Sequence, residues 1–146
     1  MTKKYDDAKW HYGGDFPAEL PMEASATHIG MFFAWAVLVG LVVDEDWFDL
    51  AAIRERFVSR SSLPGATFLH EFDGKLVDDI FSPEGAEFTT AYYENGNGYF
   101  VDYEKTLGDK LPSLYHVEDG WRTFDRLKSV LNKRFTECKR GALVLD

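Results

Sequence analysis

The feature that most constrains the fold is the segment 24–43, which carries no formal charge. From Ile29 onward nearly every side chain in it is apolar. A helix with apolar groups on all its sides has to be enclosed by other elements. We therefore predict that residues 27–43 form a buried central helix with the remaining elements packed around it.

A membrane-spanning helix is the alternative for such a segment, because about 20 apolar residues are enough to cross a bilayer. Ser25, Thr27 and His28 are polar, so the dense apolar part covers only residues 29–43. The acidic run 44–46 follows at once, and neither end has the basic cluster that marks the cytoplasmic side of a span. The sequence therefore favours a buried helix, and we expect no association with a membrane.

The chain is long enough for one domain, which we predict to cover residues 1–146, since 146 residues can bury a core without cross-links. Cys138 is the only cysteine, so an intramolecular disulfide is excluded and a reducing compartment is indicated. The first residues lack the apolar stretch of a secretory signal. We expect a cytoplasmic protein.

The two ends of the chain are predicted to lack regular structure. Residues 1–23 contain three aromatic residues around Gly13 and Gly14, and Pro17 and Pro21 then prevent a helix. We interpret this segment as an irregular aromatic arm that lies over the helices. Residues 141–146 are predicted to form a frayed tail.

Helical periodicity dominates the rest of the chain. The pattern predicts helices over 44–58, 66–72 and 120–139, whereas 75–81 is ambiguous. Ser82 followed by Pro83 is a typical helix start. With the central helix, these assignments predict an all-α bundle of five to seven helices.

Residues 88–103 could form either two helices or a β-hairpin. The turn at 95–98 (Asn-Gly-Asn-Gly) suits a hairpin, and its flanks have β-propensity. Phe100, Tyr103 and Leu107 are spaced by three and four, however, which indicates a helix. We predict two helices here.

Two glycines, Gly30 and Gly40, fall inside the predicted central helix. Glycine costs about 1 kcal/mol relative to alanine within a helix. We therefore expect another segment of backbone to approach closely at both positions.

The net charge of −9 limits the possible partners. An acidic surface repels phosphate backbones and attracts cations or basic proteins, so nucleic-acid binding is disfavoured. Carboxylates that lie near predicted helix ends and loops are the candidate contacts for a basic protein: Asp44, Glu45, Asp46, Asp78, Asp79, Glu84 and Glu87.

No established catalytic or phosphate-binding motif occurs. The run 44–46 lacks the ligand spacing of a calcium-binding loop, and we expect no metal and no cofactor. The histidines are far apart in sequence, but folding could assemble an acid–base or metal cluster if the arm and the last connection both cross the central helix. The candidate residues for that cluster are His11, Asp15, His28, His116 and Asp119.

Several stretches resemble those of a family of small bacterial proteins that is known only as a domain of unknown function. They are the segments 10–17, 27–35, 92–94 and 112–119, and the likeness extends over roughly residues 5–138. This resemblance implies no activity and no catalytic residues. In size, acidity and helix content the chain also resembles the immunity proteins of bacterial toxin–immunity systems.

Two functions follow as expectations. The first is a non-enzymatic acidic binding protein, an immunity protein that neutralises a cognate toxin, because a decoy surface for a basic cleft needs no active site. The alternative is a small-molecule-binding protein or hydrolytic enzyme that uses the candidate His/Asp cluster.

Overall fold

The centre of the molecule is a helix, α2 (Thr27–Leu38), with every residue from Thr27 to Val37 buried. The computed structural model describes residues 2–145. Within that range the chain forms seven α-helices and two short strands. The other elements are, in chain order, β1 (Lys4–Asp7), α1 (Ala8–Tyr12), α3 (Leu50–Val58), α4 (Pro64–Phe72), β2 (Lys75–Val77), α5 (Pro83–Phe88), α6 (Tyr99–Tyr103) and α7 (Trp121–Lys139).

The fold is mainly helical but not strictly all-α, because the two strands pair. β1 runs antiparallel to β2, with Lys4 opposite Val77 and Asp7 opposite Lys75. The Ala8 amide then donates to the Gly74 carbonyl at 2.9 Å, which continues the contact into α1. The predictions of an all-α fold and of an irregular arm are therefore wrong for residues 4–12. Strands of three and four residues are too short to show a period in the sequence.

The central helix is shorter than the predicted span of 27–43. It ends at Leu38, and Gly40 follows with a φ of +81°, a left-handed conformation that closes helices. The apolar run continues as extended chain in which Val42 pairs with Phe81, and the Val43 amide donates to the Ile80 carbonyl at 2.7 Å. One hydrophobic run thus supplies two elements, since hydrophobicity requires burial of the segment without deciding its backbone conformation.

The two glycines of the central segment have different roles. A Cβ on Gly30 would lie 2.5 Å from the Gly65 Cα and 2.6 Å from the Pro64 carbonyl oxygen, so α2 and α4 touch backbone to backbone there. The expectation of close approach is confirmed at Gly30. It is wrong at Gly40, where a Cβ would meet nothing within 4 Å and the positive φ is what requires glycine.

The predicted helix over 44–58 begins later than its acidic start suggested. Residues 44–49 form a loop, and α3 starts at Leu50 after Asp49, whose side chain accepts a hydrogen bond from the Ala52 amide at 3.1 Å. A capping carboxylate at the end of a loop, rather than the first acidic residue, sets this boundary. The predicted helices over 66–72 and 120–139 agree with α4 and α7 to within two residues.

Residues 88–103 form two helices, as predicted, and no hairpin. Ser82 caps α5 by accepting from the Gly85 amide at 3.0 Å, and the helix continues as a π-turn over Thr89–Tyr93. α6 likewise continues as a π-turn over Glu104–Gly108. The ambiguous segment 75–81 is β2 followed by a 3₁₀ turn, Asp78–Ile80.

The last helix closes the core over α2. The Trp35 indole is fully buried and donates to the Asn132 Oδ1 at 2.9 Å, which ties α2 to α7. After α7 the chain carries no regular structure as far as residue 145, but Leu143 and Leu145 pack against the core. The final residue of the predicted frayed tail, Asp146, lies outside the described residues, as does Met1 at the start of the predicted arm.

Across residues 2–145, no helix has both the length and the apolar character that a membrane crossing requires.

The contact between Gly30 and Gly65 yields a prediction about stability. We expect Gly30→Ala to lower the free energy of unfolding by about 1–3 kcal/mol, because overpacking forces two helix backbones apart. Urea unfolding monitored by tryptophan fluorescence measures the change. Gly96→Ala is the matched control, since its Cβ would meet nothing within 4 Å, and it should stay within about 0.5 kcal/mol of the parent. Equal stability of the two variants would contradict the close helix contact.

Candidate functional site

Three ionisable side chains from three elements converge at the start of the central helix. The His11 Nε2 lies 2.6 Å from the Asp6 Oδ1, and the His28 Nε2 lies 3.3 Å from the Asp6 Oδ2. The two Nε2 atoms are themselves 3.3 Å apart. We call this group the Asp6–His11–His28 cluster. One donor atom from each residue lies within 4.8 Å of the others, an arrangement that can hold a metal ion.

Local sequence explains how the three side chains meet. Asp6 is in β1, which β2 holds in place, and the Asp7 side chain caps α1 by accepting from the Lys9 amide at 3.0 Å. The cap makes the chain turn into α1 directly after the strand, which brings His11 back over Asp6. His28 is the second residue of α2 and faces the same point.

The cluster is enclosed, and its polar atoms are almost all paired. Relative side-chain exposure is 4% for Asp6, 1% for His28 and 17% for His11. The Asp6 carboxylate also accepts from the Tyr93 hydroxyl and, at 2.8 Å, from the Asp7 amide. The His11 Nδ1 is 2.7 Å from the Tyr115 hydroxyl, whereas the His28 Nδ1 has no hydrogen-bond partner among residues 2–145.

Burial and hydrogen bonding both act on the charges of the cluster. Burial by itself would raise the pKa of the Asp6 carboxyl, but hydrogen bonds from His11 and His28 outweigh it and hold that pKa well below its usual range. Burial lowers the pKa of the His28 imidazole, and the Asp6 carboxylate opposes this only in part. Burial also raises the pKa of the Tyr93 hydroxyl, which therefore stays protonated as a donor to Asp6. The folded protein thus favours a carboxylate beside a neutral His28.

Of the five residues proposed from sequence for a His/Asp cluster, the structure brings together two, His11 and His28. Asp15 is exposed on the arm. His116 bonds instead to Ser113 and Glu19, each at 2.8 Å. Asp119 accepts from the backbone amides of Gly65 and Ala66, at 2.8 and 2.9 Å, and so caps α4.

Sequence reasoning missed Asp6, Tyr93 and Tyr115. Asp6 lies in the segment 1–23, for which the sequence predicted no regular structure and therefore no position for this side chain. The available signal was Asp7 before Ala8, a capping pattern that would have placed a turn between Asp6 and His11. The two tyrosines reach the cluster from positions far along the chain, and no spacing in the sequence reveals them.

A second candidate site is a surface on which three acidic segments meet. The pairing of 41–43 with 80–82 places the loop 44–46 beside the turn 78–80, and α5 starts immediately after Ser82. We call this surface the acidic face. The seven carboxylates selected from sequence belong to these three segments, and Glu45 and Asp78 among them are half-buried: Asp44, Glu45, Asp46, Asp78, Asp79, Glu84 and Glu87.

The carboxylates of the acidic face differ in their hydrogen bonding. Asp78 accepts from the Lys3 amide at 2.9 Å, and Asp79 accepts from the Thr2 hydroxyl at 2.6 Å. Among the described residues, none of the seven forms an ion pair with a basic side chain. Lys3 lies near Asp78, and Lys139 lines the same cavity as Glu84 and Glu87, so the charge of the face is compensated only in part.

Comparison with known proteins provides a family. The model of the domain of unknown function DUF7832 matches residues 4–117, which is most of the chain. The chain belongs to this family. The resemblance to an uncharacterised family is thereby confirmed, and no curated protein and no solved structure matches the chain.

The DUF7832 match contains both candidate sites. Asp6, His11 and His28 lie within residues 4–117, as do Tyr93, Tyr115 and the whole acidic face, while α7 lies beyond the match. The family carries no stated activity, so any function has to be argued from the sites themselves.

The buried position of Asp6 predicts a large effect on stability. In metal-free protein we expect Asp6→Asn to lower the free energy of unfolding by about 1–3 kcal/mol, because an amide cannot satisfy both imidazoles and Tyr93. Urea unfolding followed by circular dichroism measures it. Asp15→Asn is a control on the same arm with an exposed side chain. Equal effects of the two substitutions would show that Asp6 is not structurally engaged.

The shifted pKa values predict how stability depends on pH in metal-free protein. The pKa of His28 is lower in the folded state, so the unfolded chain binds its proton first and stability falls as the pH drops below about 6.5. Asp6 adds a further loss below about pH 3.8, for the same reason. Urea midpoints measured across this range should fall less steeply just below pH 6.5 for His28→Gln than for the parent. Identical slopes would contradict the burial of a neutral His28.

Proposed function

We propose that this protein is a non-enzymatic binding protein that neutralises a basic protein partner, a toxin produced alongside it, through its acidic face. The observation that carries the proposal is the meeting of three acidic segments whose carboxylates form no ion pairs within the described chain. Like charges placed side by side without compensation are unfavourable for folding and favour a positively charged partner.

An acidic surface favours both fast association with a basic partner and tight binding to it. A patch of one sign steers a partner of opposite charge and raises the association rate by about 10- to 1000-fold at low salt. Toxins that cleave nucleic acids bind phosphate in basic clefts, and a surface rich in carboxylates competes for such a cleft. The net charge of −9 extends the same field over the molecule.

Apolar side chains beside the acidic face add the other component of a stable interface. Trp47 directly follows Asp46 and is 54% exposed, and Val39 is 41% exposed at the turn before Leu41. Buried tryptophan is among the residues that contribute most to protein–protein affinity. A tryptophan next to unpaired carboxylates therefore supports recognition of a protein rather than of a small cation.

The alternative, a hydrolytic enzyme built on histidine and aspartate, has less support. His11 and His28 meet, but their side chains line none of four cavities of the described chain, whereas His116 and Asp119 line one of these cavities without them. A substrate has to lie beside the reacting groups, and His28 is 1% exposed. The cluster suits a small bound species better than a substrate.

The test begins with capture of binding proteins from the native cell by the tagged chain, followed by expression of each candidate. We expect a basic protein whose toxicity is suppressed when the two are co-expressed. Combined Asp44→Asn, Asp46→Asn and Glu84→Gln substitutions should lower the association rate constant by about tenfold or more and weaken the suppression. Surface plasmon resonance at two salt concentrations measures the rates.

The matched control removes the same charge elsewhere. Glu104→Gln, Asp109→Asn and Glu118→Gln change three exposed carboxylates that also lack ion pairs within the described chain. This control should keep most of the rate and all of the suppression. Equal losses in the two triple variants, or equal binding to an unrelated basic protein, would reject a specific acidic face.

A further inference from the structure

We propose that the Asp6–His11–His28 cluster is a binding site for a zinc ion. This inference does not depend on the acidic face, and the expectation of no metal came from the sequence, in which the three residues form no ligand motif. The site joins β1, α1 and the first turn of α2 at a single point.

The chemistry of the donors is suited to zinc. Imidazole nitrogens and a carboxylate oxygen are ordinary zinc ligands, and sites with three protein ligands leave a fourth position to water. Hard cations such as Ca²⁺ and Mg²⁺ prefer sets made of oxygen atoms. Two imidazoles with one carboxylate therefore favour a transition metal, either Zn²⁺ or Fe²⁺.

Two of the three donor distances match a tetrahedral zinc ion. Zinc–nitrogen bonds of about 2.0–2.1 Å at tetrahedral angles place two donor atoms about 3.3–3.4 Å apart, whereas bonds of the same length at octahedral angles place neighbouring donors about 2.9–3.0 Å apart. The two Nε2 atoms are 3.3 Å apart, and the His28 Nε2 is 3.3 Å from the Asp6 Oδ2. The His11 Nε2 contacts the other oxygen of the same carboxylate, Oδ1, at 2.6 Å, so this pair has to move apart when an ion enters.

Outer contacts already orient two of the three ligands. The Tyr115 hydroxyl holds the His11 Nδ1, which leaves the Nε2 of that ring directed at Asp6 and His28. The Tyr93 hydroxyl and the Asp7 amide hold the Asp6 carboxylate. Partners of this kind are typical of zinc sites, where they fix the tautomer and the direction of each ligand.

The outer nitrogen of His28, Nδ1, has no hydrogen-bond partner among the described residues, so packing orients this ring. Its ring is enclosed by those of Phe100, Tyr103 and Tyr115, at centroid distances of 5.4, 6.2 and 5.9 Å. The rigid first turn of α2 holds its backbone. Ligands placed on rigid elements give the precise geometry that a metal site needs.

An ion can reach the cluster from the side of His11. That side chain is 17% exposed, whereas Asp6 and His28 are nearly inaccessible. The ion therefore enters the cluster past His11, on the solvent side of the arm. The bound ion adds a further link between the arm and α2, so it stabilises the folded state by an amount that grows with the logarithm of the zinc concentration above Kd.

A hydrogen-bond network without metal is the competing explanation, and the two make different predictions. In a network, the two imidazole groups only donate hydrogen bonds to one carboxylate, and added Zn²⁺ leaves the protein unchanged. In a metal site, added Zn²⁺ binds with a stoichiometry of one and raises the melting temperature.

The experiment uses the full chain after removal of metals with a chelator. Titration with ZnCl₂ by calorimetry should show one site, and Co²⁺ in its place should give the intense visible absorption of a tetrahedral ion. His28→Gln and His11→Gln should each weaken zinc binding about 100-fold, the loss expected when one of three ligands is removed. Circular dichroism establishes whether each variant is folded. If His28→Gln does not fold, His11→Gln tests the proposal, because His11 is the less buried of the two positions.

His70→Gln is the matched control for zinc binding to surface histidines, because the His70 side chain is 83% exposed. It should keep the parent affinity within twofold, and so should His116→Gln, which lies outside the cluster. The proposal is overturned by absence of binding at micromolar zinc, by the weak absorption of octahedral cobalt, or by a loss of affinity in the two controls equal to that in the cluster variants.

Discussion

The structure depends on the enclosure of one helix that has no polar face. Every residue of α2 from Thr27 to Val37 is buried, so neighbouring elements have to cover it on all sides. α4 does so at the closest range that two helices permit, glycine against glycine at residues 30 and 65. α7 covers another side, and there the single polar atom of the Trp35 indole is paired with Asn132.

Enclosure of α2 also buries His28 near the start of the helix, where its polar imidazole is removed from water. An isolated buried imidazole or carboxylate is unfavourable, and the structure answers by bringing His11 and Asp6 to the same point. The first turn of the central helix thereby becomes the place where the arm is attached. This attachment is common to the structural and the functional interpretation of the cluster. The three polar groups stabilise one another without a metal, and a bound cation strengthens the same attachment of the arm to α2.

The two candidate sites differ in how their charges are balanced and in how accessible they are. The cluster compensates its charges internally and is closed to large molecules, whereas the acidic face leaves its carboxylates without ion pairs in the described chain and is open. The pairing of Val42 with Phe81 links them, because the same apolar run that begins at the cluster ends at the acidic face. A binding protein with a stabilised arm and an exposed charged surface is consistent with both sites.

The sequence by itself determined that the segment after Thr27 is buried, that residues 66–72 and 120–139 are helical, and that residues 88–103 contain two helices and no hairpin. These properties follow from local periodicity and from side-chain polarity, which act over a few residues. It also identified His11 and His28, but placed them with Asp15, His116 and Asp119. Only the tertiary structure decided that the central helix stops at Leu38, that β1 pairs with β2 and that Asp6 completes the cluster, because each depends on a partner distant in the chain. Hydrogen bonds and close contacts between such partners exist only after folding has brought them together.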